Sequence, residues 1–201
     1  DARYVKVNQV GPTLQPEEVD RCLAQVKDRA GAGDWWALCG SLPPGAPPDF
    51  YLQVTSLIQA GGGRVVLDAS GEPLRLGIGA GPDWIKPNAA EVAALTGKTV
   101  DSVEDAAQAV DALRAIGARS IAISMGAQGL VLAEGDVRLW ARPPEVRARN
   151  PVGAGDALVA GLLFALSQSE GPEGVARWGV AAGTAAATGA GVSVGTRAEV
   201  R

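Results

Sequence analysis

Histidine is absent from this 201-residue chain, and the aromatic residues make up only 4% of it. Without histidine, the chain has neither a histidine-based catalytic triad nor one of the common zinc sites. Cys22 and Cys39 are the only cysteines, and they lack the CxxC spacing of metal and redox motifs. Any chemistry therefore depends on carboxylates, hydroxyls, lysine or backbone groups.

Basic clusters and long apolar runs are also missing. The net charge is −4 with no concentration of lysine or arginine, which argues against nucleic acid or an anionic membrane surface as the main partner. No apolar run approaches a membrane span and no signal peptide is recognisable, so we expect a cytoplasmic protein. The first residue is Asp1 rather than methionine, which suggests a fragment.

Glycine and proline are plentiful, with 27 and 13 residues, so the core must consist of alanine, valine and leucine joined by many tight turns. The length fits a single domain over residues 1–201. Short apolar runs alternate with helical patterns along the chain. This alternation predicts an α/β fold, with a mainly parallel sheet and helices on both faces.

The elements are predicted from apolar periodicity, helix caps and glycine turns. Strands are expected near residues 3–8, 34–39, 64–68, 83–86, 120–124, 130–133, 137–140 and 145–149. Helices are expected near residues 16–30, 50–60, after 73, 89–95, 102–117 and 173–188, and a further one follows a tight loop within 150–164.

The stretch from Val152 to Asp156 reads as a tight loop that opens into a buried helix. The first N–H groups of a helix are unpaired and lie at the positive end of its dipole, so Gly153, Ala154, Gly155 and Asp156 are candidates for binding a phosphate. Asp156 could then accept a proton from an attacking alcohol. The alternative is an ordinary glycine turn with an acid that favours the helix start.

Two other corners allow two interpretations each. Asn88 and Glu91 have the spacing of a capping box, but they also place an amide and a carboxylate where a hydrated Mg²⁺ could lie beside phosphates. Gly40 and Ser41 follow a predicted strand. They either end that strand or face a ligand at the carboxyl edge of the sheet.

Two other phosphate-binding motifs do not match. Gly97-Lys98-Thr99 lacks the earlier glycine of a Walker A loop, because Val92 stands at that position. A dinucleotide-binding fingerprint beginning at Gly153 would need a third glycine where Leu158 stands.

Four corners occur in a specific order: Gly-Ser-Leu-Pro-Pro-Gly at 40–45, Lys-Pro-Asn-x-x-Glu at 86–91, Ser-x-Gly-x-x-Gly at 124–129 and Val-Gly-Ala-Gly-Asp at 152–156. This order resembles the phosphofructokinase-B branch of the ribokinase-like sugar kinases over nearly the whole chain. Within the branch the chain looks most like the 1-phosphofructokinases, followed by the tagatose-6-phosphate kinases and minor 6-phosphofructokinases. The segment from Lys6 to Pro12 is similar to one that these phosphosugar kinases carry.

The resemblance implies ATP-dependent phosphoryl transfer to a sugar phosphate, with fructose 1-phosphate as the expected acceptor. A kinase for an unphosphorylated sugar or nucleoside and a non-catalytic binding module remain alternatives. By carry-over, Asp156 is the catalytic base, and the amides of Gly153, Ala154, Gly155 and Asp156 form the anion hole. Asn88 and Glu91 hold Mg²⁺ through water. The remaining implied contacts are Lys86 with phosphates, Ser124, Gly126, Gly129, Ala182, Gly183 and Ala186 with the nucleotide, and Gly40 and Ser41 with the sugar.

The chain departs from the family pattern in three ways. Cys39 and Pro151 replace the more usual serine and threonine, and Pro151 blurs the choice between sugar substrates. The amino-terminal part that grips the sugar is expected to be missing, together with a lid through which subunits of a homodimer would pair. The resemblance also implies a K⁺ site between the loop before Gly153 and the turn at residues 189–191.

Overall fold

A computed structural model describes residues 11–189 of the chain. The predicted strand at 3–8 lies outside these residues. Of the segment from Lys6 to Pro12, only Gly11 and Pro12 lie within them. The elements are α1 Pro16–Arg29, β1 Trp35–Cys39, α2 Phe50–Ala60, β2 Arg64–Asp68, α3 Gly71–Ile78, β3 Trp84–Ile85, α4 Ala89–Thr96, α5 Val103–Ala115, β4 Ser120–Ser124, β5 Leu130–Glu134, β6 Val137–Ala141, α6 Ala154–Ser167 and α7 Pro172–Thr188.

The six strands form one sheet in chain order. Strands β1 to β4 are parallel, and β5 and β6 continue the sheet as antiparallel hairpins. Cys39 at the end of β1 is in register with Asp68 at the end of β2, and Leu67 is in register with Ile85 of β3. The parallel strands therefore end at a common edge of the sheet, where ligands bind in open α/β folds.

Successive strand residues point to opposite faces, and both faces are covered. Helices α2 to α5 pack on the face that carries Val65, Leu67 and Ile123. The opposite face, with Val66 and Ala122, packs against α6 and α7. Burial on both faces explains why the strands are continuous apolar runs, and it confirms the predicted mainly parallel sheet between two helical layers.

Local signals place several of the helix starts. Pro16 is the first residue of α1, where its missing N–H removes no hydrogen bond. The Ser102 hydroxyl accepts from the Asp105 N–H at 3.1 Å, and the Asp105 carboxylate accepts from the Ser102 N–H, which completes a capping box at α5. None of the helices within residues 11–189 has the length and apolar character needed to cross a membrane.

The predicted strand at 145–149 is wrong, because the chain from Arg142 to Asn150 forms neither strand nor helix. Pro143 and Pro144 lack the N–H groups that would extend a ladder beyond β6. The segment is instead joined to the last helix, since the N–H groups of Arg149 and Asn150 both donate to the Ala187 carbonyl, at 2.8 and 3.1 Å. It thereby forms a wall beside α7.

Smaller differences concern element ends. Strand β3 comprises only Trp84 and Ile85, shorter than the expected 83–86, because the Asp83 carboxylate accepts from the Val65 N–H and Pro87 follows Lys86. Helix α3 begins at Gly71, two residues before Pro73, so the proline lies in the first turn, where it is tolerated.

Candidate active site

Charged side chains meet at the carboxyl ends of neighbouring parallel strands. Asp68 ends β2, and Lys86 directly follows β3. The Lys86 ammonium lies 3.1 Å from an Asp68 carboxylate oxygen, and Lys86 is only 4% exposed. This pair forms the floor of the candidate site.

The Asp156 carboxylate is close enough to influence the same group. Burial raises the pKa of the Asp68 carboxyl, the Lys86 ammonium opposes that rise, and the Asp156 carboxylate adds to it. Burial, Asp68 and Asp156 together raise the pKa of the Cys39 thiol to about 11. Residues from β1, β2, β3 and α6 thus share one electrostatic environment, and Asp156 is the exposed member among the acids.

The corner before α6 has the geometry of an anion site. Gly153 has φ +83°, in the left-handed region that favours glycine, and this conformation turns the chain into the helix. The Ala154 N–H donates to the Pro151 carbonyl at 3.2 Å. Within residues 11–189, the N–H groups of Gly155 and Asp156 have no backbone acceptor. Three of the four N–H donors predicted from sequence, those of Gly153, Gly155 and Asp156, are therefore available to a ligand.

Gly155 also lies against the buried lysine. A β-carbon at Gly155 would lie 3.8 Å from the Lys86 ammonium nitrogen, so the first turn of α6 and the lysine adjoin each other. The ammonium adds a full positive charge beside the positive end of the helix dipole. Both features favour an anion at this corner.

Asn88 and Glu91 form the capping box at the start of α4. The Asn88 side-chain oxygen accepts from the Glu91 N–H at 2.9 Å, and the Glu91 carboxylate accepts from the Asn88 N–H at 2.8 Å. Burial raises the pKa of the Glu91 carboxyl, although the Asn88 N–H and the Lys86 ammonium oppose this rise. The structural role is thus present, and each side chain retains oxygen lone pairs that a hydrated cation can approach.

A tight turn between β4 and β5 brings Ser124, Gly126 and Gly129 together. Gly129 has φ +98°, and a β-carbon there would overlap the Ala141 carbonyl, so only glycine fits. The Met125 N–H donates to the Gly129 carbonyl at 2.8 Å, which closes the turn.

A cavity of about 520 Å³ joins these corners. Among the residues predicted from sequence, its walls include Asn88, Ser124, Gly126, Gly129, Ala154, Gly155 and Gly183. Apolar residues from the irregular segment and from α7 form much of the remaining wall, including Pro143, Val146, Val180 and Ala187. The size and mostly apolar lining are typical of small-molecule sites.

Only one of the three residues predicted on α7 lines this cavity. Ala182 and Ala186 are buried, 8% and 2% exposed, and α7 instead presents Gly183, Thr184 and Ala187 to the cavity. A helix turns by 100° per residue, so neighbours in sequence face different directions. Gly183 has a packing role as well, since a β-carbon there would lie 3.2 Å from the Ala154 carbonyl.

Gly40 and Ser41 follow β1, with Gly40 next to Asp68, and neither residue lines the cavity. The Gly40 N–H donates to the Asp68 carbonyl at 2.9 Å. The Tyr51 hydroxyl donates to the carbonyl oxygens of Cys39 and Gly40, each at 3.0 Å. Ser41 is exposed.

Sequence reasoning missed Asp68, Arg142 and Thr184. Asp68 had a readable signal, since it ends a buried strand and is thereby placed at the ligand-binding edge of the sheet. Arg142 and Thr184 reach the cavity only through the fold of the segment after β6 and the rotation of α7. No local pattern marks them.

Residues 11–198 match the sequence profile of the pfkB family carbohydrate kinases, which is most of the chain. The chain belongs to the pfkB carbohydrate kinase family. This confirms the resemblance inferred from the four ordered corners.

Two relatives in the family carry the same name. The chain is 42% identical over 160 residues to a 1-phosphofructokinase of Rhodobacter capsulatus, a match covering 79% of the chain and 51% of the relative. It is 34% identical over 182 residues to a 1-phosphofructokinase of Bacillus subtilis, covering 90% and 60% respectively. The chain thus spans between half and two thirds of the length of these pfkB relatives.

Solved structures agree with the fold. A phosphofructokinase-2 of Escherichia coli in complex with potassium superposes with a TM-score of 0.87 at 29% identity, over 94% of this chain and 61% of that one. A ribokinase of Arabidopsis thaliana complexed with ribose and ATP gives a TM-score of 0.71 at 23% identity, over 86% and 54%. The second likeness shows the fold alone, and it confirms the ribokinase-like architecture of this pfkB chain.

Proposed function

We propose that this chain carries the nucleotide-binding and catalytic part of an ATP-dependent phosphosugar kinase, with fructose 1-phosphate as acceptor and fructose 1,6-bisphosphate as product. One observation carries the proposal. The apolar cavity ends at the start of α6, where unpaired N–H groups and Lys86 are next to the exposed Asp156. The names of the two relatives support the choice of substrate.

In the proposed reaction, Asp156 accepts the proton of the attacking sugar hydroxyl, and the oxygen of that hydroxyl forms a bond to the γ-phosphorus of ATP as the bond to ADP breaks. General-base assistance of this kind contributes about 10²–10⁴-fold. The N–H groups of Gly155 and Asp156 and the Lys86 ammonium stabilise the charge on the transferred phosphoryl group. No covalent nucleophile is needed, which agrees with the lack of histidine.

The cavity is proposed to hold ATP. Ser124, Gly126 and Gly129 border the phosphate side, and the apolar residues Pro143, Val146 and Val180 surround the base. Arg142 is the cationic residue of the wall. Ala182 and Ala186 face the packed interior, so they are not proposed as nucleotide contacts. Thr184 and Ala187, which line the cavity, are proposed instead.

Asn88 and Glu91 fit a hydrated Mg²⁺ better than a directly bound one. Their mutual hydrogen bonds occupy part of each side chain, and residues 11–189 contain no group of three metal-ligating acids or cysteines. A Mg²⁺ ion that keeps several waters and binds substrate phosphates suits such a site. When bound, the ion would neutralise phosphate charge.

The other expected ligands and partners follow from family likeness. A K⁺ site is proposed beside the loop at Arg149 and Asn150, which is hydrogen-bonded to Ala187 near the end of α7. Residues 190 and 191, which were expected to form the other side of the site, lie outside the described part. The potassium complex of the similar Escherichia coli phosphofructokinase-2 supports this proposal. Homodimer formation through a lid and a cytoplasmic location likewise remain proposals.

There are two alternatives. The first is a kinase with tagatose 6-phosphate or fructose 6-phosphate as acceptor. The second is a non-catalytic nucleotide-binding role. The second is favoured by one observation: the chain covers only 51% of the Rhodobacter relative, so a substrate-binding part can lie beyond it.

A coupled assay of ADP release with Mg²⁺, ATP and each of the three sugar phosphates tests the proposal, with ATP binding measured in parallel by calorimetry. We expect ATP binding in every case and the fastest turnover with fructose 1-phosphate, in this chain or in the full-length protein that contains it. ATP binding without turnover on any acceptor favours the binding module. A chain that binds no ATP contradicts the proposal.

A further inference from the structure

The ion pair of Asp68 and Lys86 differs from the other ion pairs within residues 11–189. Its side chains are 15% and 5% exposed, whereas both partners in each of the others are at least 40% exposed. Removing two charges from water is costly, and a buried pair is weak evidence for stability alone. The position of this pair therefore points to another use.

Lys86 has both a carboxylate and the start of a helix as neighbours of its ammonium group. Its ammonium is close to Gly155, in the first turn of α6, where the helix dipole is positive. Asp68 is its ion-pair partner, at 3.1 Å, and no second ion pair to Lys86 forms within the described part of the chain. An ammonium has three N–H donors, so donors remain for a ligand that reaches the start of α6.

We infer that Asp68 is a positioning residue, whose carboxylate holds the Lys86 ammonium beside the first turn of α6 so that it binds the phosphates of the nucleotide. The inference rests on the proposed function. Neither Asp68 nor Lys86 lines the cavity, but Lys86 adjoins Gly155, which does, and Asp68 acts on the ligand through Lys86. The aligned ends of β2 and β3 set the distance between the two side chains.

Asp68 is poorly placed to be the base itself. It is buried and already paired with a cation, whereas Asp156 is exposed at the helix start. Other charged and titratable groups face the same place from each neighbouring element. They are Cys39 on β1, Tyr51 on α2, Glu91 on α4 and Asp156 on α6. Within residues 11–189, none of these groups forms an ion pair with Lys86, whereas Asp68 does.

The test compares ligands that differ only in phosphate. Adenosine, ADP and Mg²⁺-ATP are titrated by calorimetry into the unchanged protein and into Asp68→Asn, Asp68→Glu, Lys86→Met and the double variant Asp68→Asn/Lys86→Met. Glu72→Gln is the matched control, because it removes the carboxylate of an exposed ion pair with Arg75 that is outside the cavity. Circular dichroism checks that each variant is folded.

We expect Asp68→Asn to lower ATP affinity by about tenfold or more, the scale of one charge-assisted hydrogen bond, and to leave adenosine affinity within about twofold. In the double variant the loss should equal that of Lys86→Met alone, since Asp68 acts through the lysine. Asp68→Glu restores the charge at a shifted position, so it should recover part of the ATP affinity. Glu72→Gln should leave the affinities for adenosine, ADP and ATP unchanged.

Several outcomes would overturn the inference. They are unchanged ATP affinity in Asp68→Asn, equal losses for adenosine and ATP as expected from a purely structural role, or additive losses in the double variant. If Asp68→Asn is unfolded, Asp68→Glu decides, and ATP affinity equal to that of the unchanged protein overturns the inference. Failure of the unchanged protein to bind either ATP or adenosine instead contradicts the proposed function.

Discussion

Gly161 of α6 packs directly against the carbonyl oxygen of Trp178 on α7, so closely that a β-carbon at position 161 would overlap that oxygen. The contact lets the two helices approach along their length, with Gly179 against Leu162 and Gly183 against Ala154. It thereby fixes the wall that α7 contributes to the cavity.

Substitution of Gly161 by alanine should destabilise the protein. The added methyl group meets backbone, which cannot rotate away, and overpacking of this kind costs about 1–3 kcal/mol. Ala160→Ser, at the exposed neighbouring position of α6, is the control and should cost about 0.5 kcal/mol or less. Urea denaturation followed by tryptophan fluorescence measures both. Equal stability of the two variants would show that the helices separate without cost.

Replacing Asp156 by asparagine should abolish most phosphoryl transfer and preserve nucleotide binding. The amide keeps the shape of the side chain but cannot accept the proton, so kcat should fall about 10²–10⁴-fold. ATP affinity should stay within about tenfold, because the helix-start donors remain. Steady-state kinetics of the active full-length enzyme and calorimetry measure these effects. Asp28→Asn, on the exposed side of α1, is the control, and near-normal turnover of Asp156→Asn would rule out Asp156 as the base.

The Cys39 thiol should react slowly with iodoacetamide at neutral pH. Burial and the carboxylates of Asp68 and Asp156 raise its pKa to about 11, and only the thiolate is nucleophilic. Since the fraction of thiolate grows about tenfold per pH unit below the pKa, the rate should keep rising from pH 7 to about pH 10. Mass spectrometry of Cys22→Ser protein isolates the single thiol. A rate that levels off near pH 8 would contradict the raised pKa.

The two roles of Glu91 can be separated with glutamine. Glu91→Gln retains an oxygen that can accept from the Asn88 N–H, so the capping box and the stability should be kept within about 0.5 kcal/mol. The lost charge should raise the Mg²⁺ concentration for half-maximal ATP binding severalfold. Glu104→Gln, in the exposed first turn of α5, serves as a matched helix-start control. An unchanged Mg²⁺ requirement would leave Glu91 with the capping role only.

Much of the fold was accessible from sequence because local signals and burial agreed. Apolar strands separated by capped helices predict a mainly parallel sheet, and the capping boxes at Asn88 and Ser102 are where their spacing places them. The prediction failed at 145–149, where alternating residues resemble a strand but the two preceding prolines and the contacts with Ala187 hold the segment irregular. Strand patterns cannot reveal such tertiary restraints.

The sequence by itself determined the family and the local corners of the site, since glycine turns, helix starts and strand ends depend on neighbouring residues. Only the tertiary structure decided which corners share one cavity and which side chains reach it. The in-register ends of β2 and β3 pair Asp68 with Lys86 across 18 positions of sequence. The orientation of α7 presents Gly183 to the cavity and buries Ala182. Such long-range neighbours depend on packing, which no local pattern records.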